Sequence, residues 1–405
     1  MKHIDPQSLP EKGAPAPASH AVGGAQAITA IVLVAITLRP GIVSVGPILP
    51  SIIDEFGLSH AAASLLTSIP DVLMGLLALP TPWLARRVGR DPVLLAALFL
   101  LCLSIALRAF ATGTVSLLAS TAGVGAGIAV AGALMAGFIK ARFPTKAALL
   151  MGIYATALSL GSTVSAAVTG PVAANGWRLA SGMWSILGIF AIVAWTAVTL
   201  SERRHRVTVP VAATTTKLPL RNKTAWLVAL FFACDNFLFY AILSWTSPMY
   251  RELGSSAAVA GLVLASFTAA FMLANPVFGY VSKSHDRRGW LAICGVLSVA
   301  GLAAVALAPT LAPFVFIPLS ALGLGGAFTL GMTLPLDNTR SVEEANVWNA
   351  FVLTVGYLIA STGPLLVGRL RDVSGDFRPG MWLCVGVAVI MLLLTPFLRP
   401  KTIDA

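Results

Sequence analysis

Twelve apolar runs dominate the chain, at 26–51, 61–85, 91–111, 114–139, 147–172, 179–200, 224–250, 257–281, 289–308, 311–336, 345–368 and 379–398. Each is long enough, at about 1.5 Å of rise per residue, to cross a hydrocarbon layer of ~30 Å as a helix. Lipid offers the backbone no hydrogen bonds, so a spanning segment must satisfy its own, and runs of this length do so only as helices. The sequence therefore predicts an all-α membrane protein with twelve transmembrane helices. Runs nine and ten are separated mainly by Pro309 and Pro313. With 57% hydrophobic and only 11% charged residues, a chain of 405 residues has too little charge to clothe a soluble surface.

The formal charge of +11 does not point to nucleic acid, because the basic residues sit in short clusters between the apolar runs. Arg86, Arg87 and Arg90 follow run two, and Lys140, Arg142 and Lys146 follow run four. Arg203, Arg204, Arg206, Lys217, Arg221 and Lys223 follow run six, and Lys283, Arg287 and Arg288 follow run eight. The opposite loops carry fewer, and Arg369, Arg371 and Arg378 are partly offset by Asp372 and Asp376. By the positive-inside rule both termini of this multi-pass membrane protein are expected in the cytoplasm. Residues 1–24, rich in Pro, Ala and Gly, read as a disordered, uncleaved tail. Two six-helix bundles are expected at 25–200 and 224–399, with a linker at 201–223 and a short tail at 400–405.

The two halves repeat. Thr169-Gly170-Pro171 matches Thr362-Gly363-Pro364, Gly182-Met183-Trp184 matches Gly380-Met381-Trp382, and Gly125-Ala126-Gly127 matches Gly323-Leu324-Gly325, in the same order and at nearly the same offset. A pseudo-symmetric pair of six-helix bundles follows.

The loop Pro82-Trp83-Leu84-Ala85-Arg86-Arg87-Val88-Gly89-Arg90 resembles the major facilitator signature G-x-x-x-D-R-x-G-R. Arg87, Gly89 and Arg90 fit this gating-loop motif, whereas Pro82 and Arg86 replace its glycine and aspartate. Gly279 with Asp286-Arg287-Arg288-Gly289 looks like a stretched second copy. A closer resemblance runs through Leu38-Arg39-Pro40 with Gly46-Pro47, Gly123 to Ala129 with Arg142-Phe143-Pro144, and Met151-Gly152-Ile153-Tyr154. It continues through Gly176-Trp177-Arg178 and Val355-Gly356-Tyr357 with Gly363-Pro364, and it is to the cyanate porter family, which includes 2-nitroimidazole transporters. The resemblance implies secondary transport by alternating access, with the substrate between the halves at mid-membrane. It implies a small monovalent, cyanate-like anion, with proton coupling open; export of small nitroaromatic or heterocyclic compounds is the alternative. A non-transporting membrane sensor on the same fold is a third reading. Gly132 and Gly137 stand in helix 4 where the family pattern has asparagine and proline, so the cavity is expected to differ there.

Few charges lie inside the spans: Arg39, Asp71, Arg108 and Asp235, with Asp337 at the end of helix 10. An intramembrane arginine normally faces a protein partner, a wet cavity or a ligand. Aligning Gly46-Pro47 with Ser247-Pro248 sets Arg39 opposite Tyr240 across the cavity that a superfamily pseudo-twofold would create. Arginine offers a planar fork of donors for an anion or nitro group, and tyrosine a hydroxyl and a ring. Asn236, four residues before Tyr240, shares its helix face. These, with Tyr357, are the substrate-binding candidates. Asp71 counts to a similar depth as Arg39 and is its candidate counter-ion, as a permanent brace or as a switch that takes up a proton. Asp235 is either a coupling acid or a packing hydrogen bond.

All five histidines fall in tails or loops, and Cys102, Cys234, Cys294 and Cys384 lie singly in apolar runs as packing residues. No catalytic or metal-ligand set and no cofactor is expected. Trp177, Trp184 and Trp382 are read as interfacial anchors. The expected partners are a small-molecule substrate, the bilayer and protons, and the chain is expected to act as a monomer, without nucleic acid.

Overall fold

The computed structural model describes residues 18–205, 218–282, 286–339 and 342–400, and it has 12 helices long and apolar enough to cross a membrane. They are α1 (Gly24–Phe56), α2 (His60–Ala78), α3 (Arg90–Arg108), α4 (Thr114–Arg142), α5 (Leu149–Asn175) and α6 (Trp177–Glu202). There follow α7 (Lys223–Glu252), α8 (Ala257–Val281), α9 (Arg288–Leu307), α10 (Pro313–Gly331), α11 (Val347–Ser374) and α12 (Arg378–Phe397). Of the sequence readings, those on the tails at 1–17 and 401–405, on 206–217, and on Lys283, His3 and His285 fall outside the described residues.

Two runs end earlier than their hydropathy suggested. Run two stops at Ala78, and Thr81–Val88 forms a separate short helix with Pro82 in its first turn. Proline fits a first turn, where its missing N–H has no intrahelical partner to lose. Run ten stops at Gly331, after which only a single turn, Leu334–Asp337, remains helical.

The sharpest departure from regular helix is in α1, which is interrupted at Arg39 and again at Ser44, leaving Pro40–Val43 as an isolated turn. Pro40 lacks the N–H that the Ile36 carbonyl would take, and Pro47 likewise withholds one from Val43. Gly161 of α5 packs directly against that Ile36 carbonyl, with no room for a side chain between them.

Several helix glycines are packing sites. A Cβ at Gly127 would lie 2.8 Å from the Ala97 carbonyl of α3, and one at Gly325 would lie 2.6 Å from the Phe271 carbonyl of α8. In hydrocarbon, helices associate through this kind of close backbone approach, since lipid is as apolar as leucine. The same device operates between the two halves: a Cβ at Gly261 of α8 would lie 2.9 Å from the Ala166 carbonyl and 3.5 Å from Gly170 Cα, both in α5. The halves meet through α5 against α8 and α2 against α11, pairs that exchange when α1–α6 is mapped onto α7–α12.

At the end bearing the α1–α2, α7–α8 and α11–α12 connections, the halves are closed onto each other. Asp372 of α11 accepts the backbone N–H groups of His60 at 2.8 Å and Ala61 at 2.9 Å, and contacts His60 Nδ1 at 2.8 Å. Glu252 of α7 reaches His60 Nε2 at 3.4 Å and Arg371 at 2.9 Å. Deeper in, Ser244 of α7 donates to Thr67 of α2 at 2.9 Å, with both side chains buried. At the other end, Arg90–Glu202 at 2.8 Å and Arg287–Asp337 at 2.6 Å each join residues of a single half.

Two tryptophans read as interfacial anchors are instead packed inside. Trp177 is buried and donates to Glu55 Oε2 at 2.6 Å, and Trp184 is buried and donates to Thr169 Oγ1 at 3.1 Å. Each found an acceptor on a neighbouring helix, which removes the need for the interface. Trp382, by contrast, remains exposed.

Candidate functional site

Arg39 is the residue at which α1 first breaks. Its own carbonyl accepts the N–H of Ile42 at 3.1 Å and of Val43 at 3.0 Å, so its main chain caps the Pro40–Val43 turn. Its side chain remains partly accessible although the flanking Leu38 and Pro40 are buried. Nη1 donates to the Tyr240 hydroxyl at 3.4 Å, which joins α1 to α7 across the two halves. The contact is long for a hydrogen bond, and so weaker than a charge-assisted bond at ideal distance.

Tyr240 belongs to a closed circuit of six aromatic rings drawn from four helices. Its neighbours are Phe239 at 5.1 Å and Tyr357 at 6.3 Å between ring centroids. From Tyr357 the circuit passes to Phe232 at 6.1 Å, Phe328 at 5.7 Å and Phe271 at 5.7 Å, and returns to Phe239 at 4.8 Å. These separations suit edge-to-face and offset ring contacts. Asn236 stands four residues after Phe232 and four before Tyr240 on the same face of α7, and its Nδ2 donates to the Phe232 carbonyl at 2.9 Å.

The expected Arg39–Asp71 ion pair is not formed. Asp71 is fully buried and lies within electrostatic range of Arg39, yet among the described residues neither carboxylate oxygen has a hydrogen-bond partner. Counting depth along regular helices placed the two side by side. The Arg39 side chain instead directs Nη1 to Tyr240 on α7. Asp235 is likewise fully buried with both oxygens unpartnered, so the packing hydrogen bond considered for it is absent here.

One residue of the arrangement was not singled out from sequence. Tyr154 of α5, nearly buried, lies within electrostatic range of Arg39 and Tyr357. A Cβ at Gly132 would lie 3.9 Å from its hydroxyl, so the glycine that departs from the family pattern borders the same place. Three of the chain's five tyrosines thus gather around Arg39. The available signal was the scarcity of tyrosine in the spans.

The gating-loop residues have distinct contacts. Arg87 stacks over the Trp83 ring at 4.3 Å, and Gly89 takes φ +103°, a conformation L side chains rarely adopt. Arg90 bonds Asp91 at 2.7 Å and Glu202 at 2.8 Å and lies over Phe138 at 4.5 Å, tying the loop to the end of α6.

Two clefts lie away from this centre. One, of about 560 Å³, is lined by Lys223, Trp226, Leu227, Leu230, Val355 and Ile359 between α7 and α11. The other, of about 370 Å³, lies beside Glu252 and Asp376 at the closed end.

Among known proteins, the sequence model of the Major Facilitator Superfamily matches residues 30–250 and 225–404. The chain is 30% identical to the cyanate transport protein of Escherichia coli (strain K12), over 92% of this chain and 97% of that one. It is 30% identical to the 2-nitroimidazole transporter of the same organism, over 91% and 93%. A probable nitrate transporter of Staphylococcus aureus (strain Newman) is 22% identical over 82% and 85%. In fold, a bacterial homolog of the human lysosomal transporter Spinster, crystallised inward-facing and occupied, superposes with a TM-score of 0.75 at 18% identity, covering 95% of this chain and 97% of that one. With twelve helices in paired halves and these matches over nearly its whole length, the chain is a multi-pass secondary transporter, not an enzyme, and belongs to the major facilitator superfamily.

Proposed function

We propose that the protein carries a small monovalent, cyanate-like anion across a bacterial inner membrane, with Arg39 as its principal ligand. The observation that carries this reading is the Arg39–Tyr240 contact: an intramembrane guanidinium held to the opposite half, among the described residues, by one long bond to a hydroxyl. An anion arriving at Arg39 offers a stronger, charge-assisted and bidentate partner, and Tyr240 can then donate its own proton to the same anion. One ligand thereby touches both bundles, which we place at 25–200 and 224–399, and their rocking carries it across. With both termini cytoplasmic, the end closed by His60 and Asp372 is the outer one.

A negative-inside potential opposes anion entry by ~2.3 kcal/mol per charge per 100 mV, so concentrative uptake needs a co-transported proton or an exchanged anion. Asp71, buried beside Arg39 without a partner, is the group we assign to the proton, as a switch rather than a brace. Asp235 is the second candidate, in α7.

The six-ring circuit favours a second reading, transport of small nitroaromatic or heterocyclic compounds, because rings beside Tyr240 would stack on a planar ligand whose nitro group Arg39 holds. The relatives are named for both kinds of solute. Flux into proteoliposomes tests both: saturable cyanate uptake abolished by Arg39→Ala supports the first, and 2-nitroimidazole flux without cyanate flux supports the second. Ligand binding without flux of either would leave only a sensor.

A further inference from the structure

Arg108 is the intramembrane charge that the transport cycle above does not use. It is the last residue of α3, and its side chain is 1% exposed. Among the described residues no carboxylate pairs with it and Nε has no partner: Nη1 donates to the Gly41 carbonyl at 2.8 Å and Nη2 to Thr121 Oγ1 of α4 at 3.4 Å. A buried cation satisfied chiefly by one backbone carbonyl is uncommon, and the identity of that carbonyl matters.

Gly41 lies in the isolated turn Pro40–Val43, where α1 is interrupted on both sides. The Pro40 carbonyl takes the Ser44 N–H at 3.1 Å, but among the described residues the Gly41 carbonyl has no backbone donor, and in lipid no water replaces one. Arg108 supplies the missing donor. The same turn is pinned sideways: a Cβ at Gly41 would lie 2.9 Å from Val124 Cγ1 and 3.3 Å from Ile105 Cδ1. Its other end is capped by the main chain of Arg39. Whatever fixes the carbonyl end of so short a turn fixes Arg39 two residues away.

We propose that Arg108 is a positioning residue for transport: from α3 it clamps the Gly41 carbonyl, and so holds the break in α1 that presents Arg39 to the anion. The proposal rests on reading Arg39 as the substrate ligand.

The test uses the full chain in proteoliposomes, with two measurements on Arg108→Gln, Arg108→Lys and Thr121→Val. The first is backbone hydrogen exchange of the segment 40–46, read by mass spectrometry without any ligand. Arg108→Gln should speed it, and unchanged exchange overturns the clamp. The second is cyanate uptake. Arg108→Gln should raise KM by about tenfold with a smaller change in maximal rate, the pattern of a ligand moved out of place. Arg108→Lys, which keeps a cationic donor, should recover most of the loss. In an Arg39→Lys background the Arg108→Gln effect should shrink, because both act through one guanidinium. Faster exchange with unchanged KM would reduce Arg108 to a structural brace and overturn the proposal. If Arg108→Gln does not fold, Thr121→Val removes only the second anchor and should still speed exchange and raise KM; no change in either overturns it. If exchange quickens but the unaltered protein moves no cyanate, the substrate reading fails and the clamp stands.

Discussion

The Arg39 guanidinium and the Tyr240 hydroxyl, 201 residues apart in the chain, meet at 3.4 Å across the interface of the two halves. That separation is the offset between Gly46-Pro47 and Ser247-Pro248. Tyr240→Phe removes the hydroxyl and leaves the ring. A net hydrogen bond contributes about 1 kcal/mol, so anion KM should rise roughly threefold to tenfold with transport retained. Concentration-dependent uptake in proteoliposomes reads this, and an unchanged KM would take Tyr240 out of the site.

Removing the guanidinium should be far more severe. Arg39→Ala deletes the only positive group of this cluster, and loss of saturable uptake is expected while the purified protein still melts cooperatively. Retained affinity in a thermal-shift titration with cyanate would place the anion elsewhere.

If Asp71 carries the coupled proton, Asp71→Asn should leave binding in place and flatten the dependence of flux on external pH. Uptake should then no longer respond to an imposed proton gradient. A profile identical to that of the unaltered protein would transfer the role to Asp235, for which Asp235→Asn is the matched variant.

Phe271→Ala opens the aromatic circuit opposite Tyr357. A ring-ring contact contributes ~0.5–1.5 kcal/mol beyond its buried area, so affinity for a nitroheterocycle should fall about twofold to tenfold. Affinity for a linear anion should change little. Equal losses for both ligands would mean that the ring only supports the bundle.

At the closed end, Asp372→Asn keeps an acceptor for only one of the His60 and Ala61 N–H groups, which bond different carboxylate oxygens, and removes the charge. Charge-assisted bonds of this kind are roughly twice as strong as neutral ones, so the closed population should fall. Thiol labelling of a cysteine introduced at Ser244, behind the closure, should quicken; unaltered labelling would show that Trp245 and its neighbours hold the end shut without Asp372.

The helices, their number and the paired halves were legible because hydrocarbon permits so few backbone solutions that hydropathy alone selects one. The Arg39–Tyr240 meeting was legible because an internal repeat converts sequence offset into symmetry. The Asp71 pairing failed because depth along a helix axis carries no information about which side of the helix a residue faces, and Arg39 reaches α7 instead. Trp177 and Trp184 were misplaced for a related reason, since an indole N–H goes wherever an acceptor waits, and Glu55 and Thr169 belong to other helices. Tyr154 lay in plain view, yet nothing in its own run marks which side of α5 faces Arg39.

The crossing of α5 and α8 at Gly170 and Gly261 has a mechanical meaning. Where two backbones touch with no side chains between them, there are no rotamers to reshuffle and no knobs to lift from holes as one half turns on the other. Such a contact acts as a plain bearing, nearly frictionless and intolerant of any added methyl group. Turnover would then be timed by the latch at the closed end, and the axle itself would set only the direction in which the halves can swing.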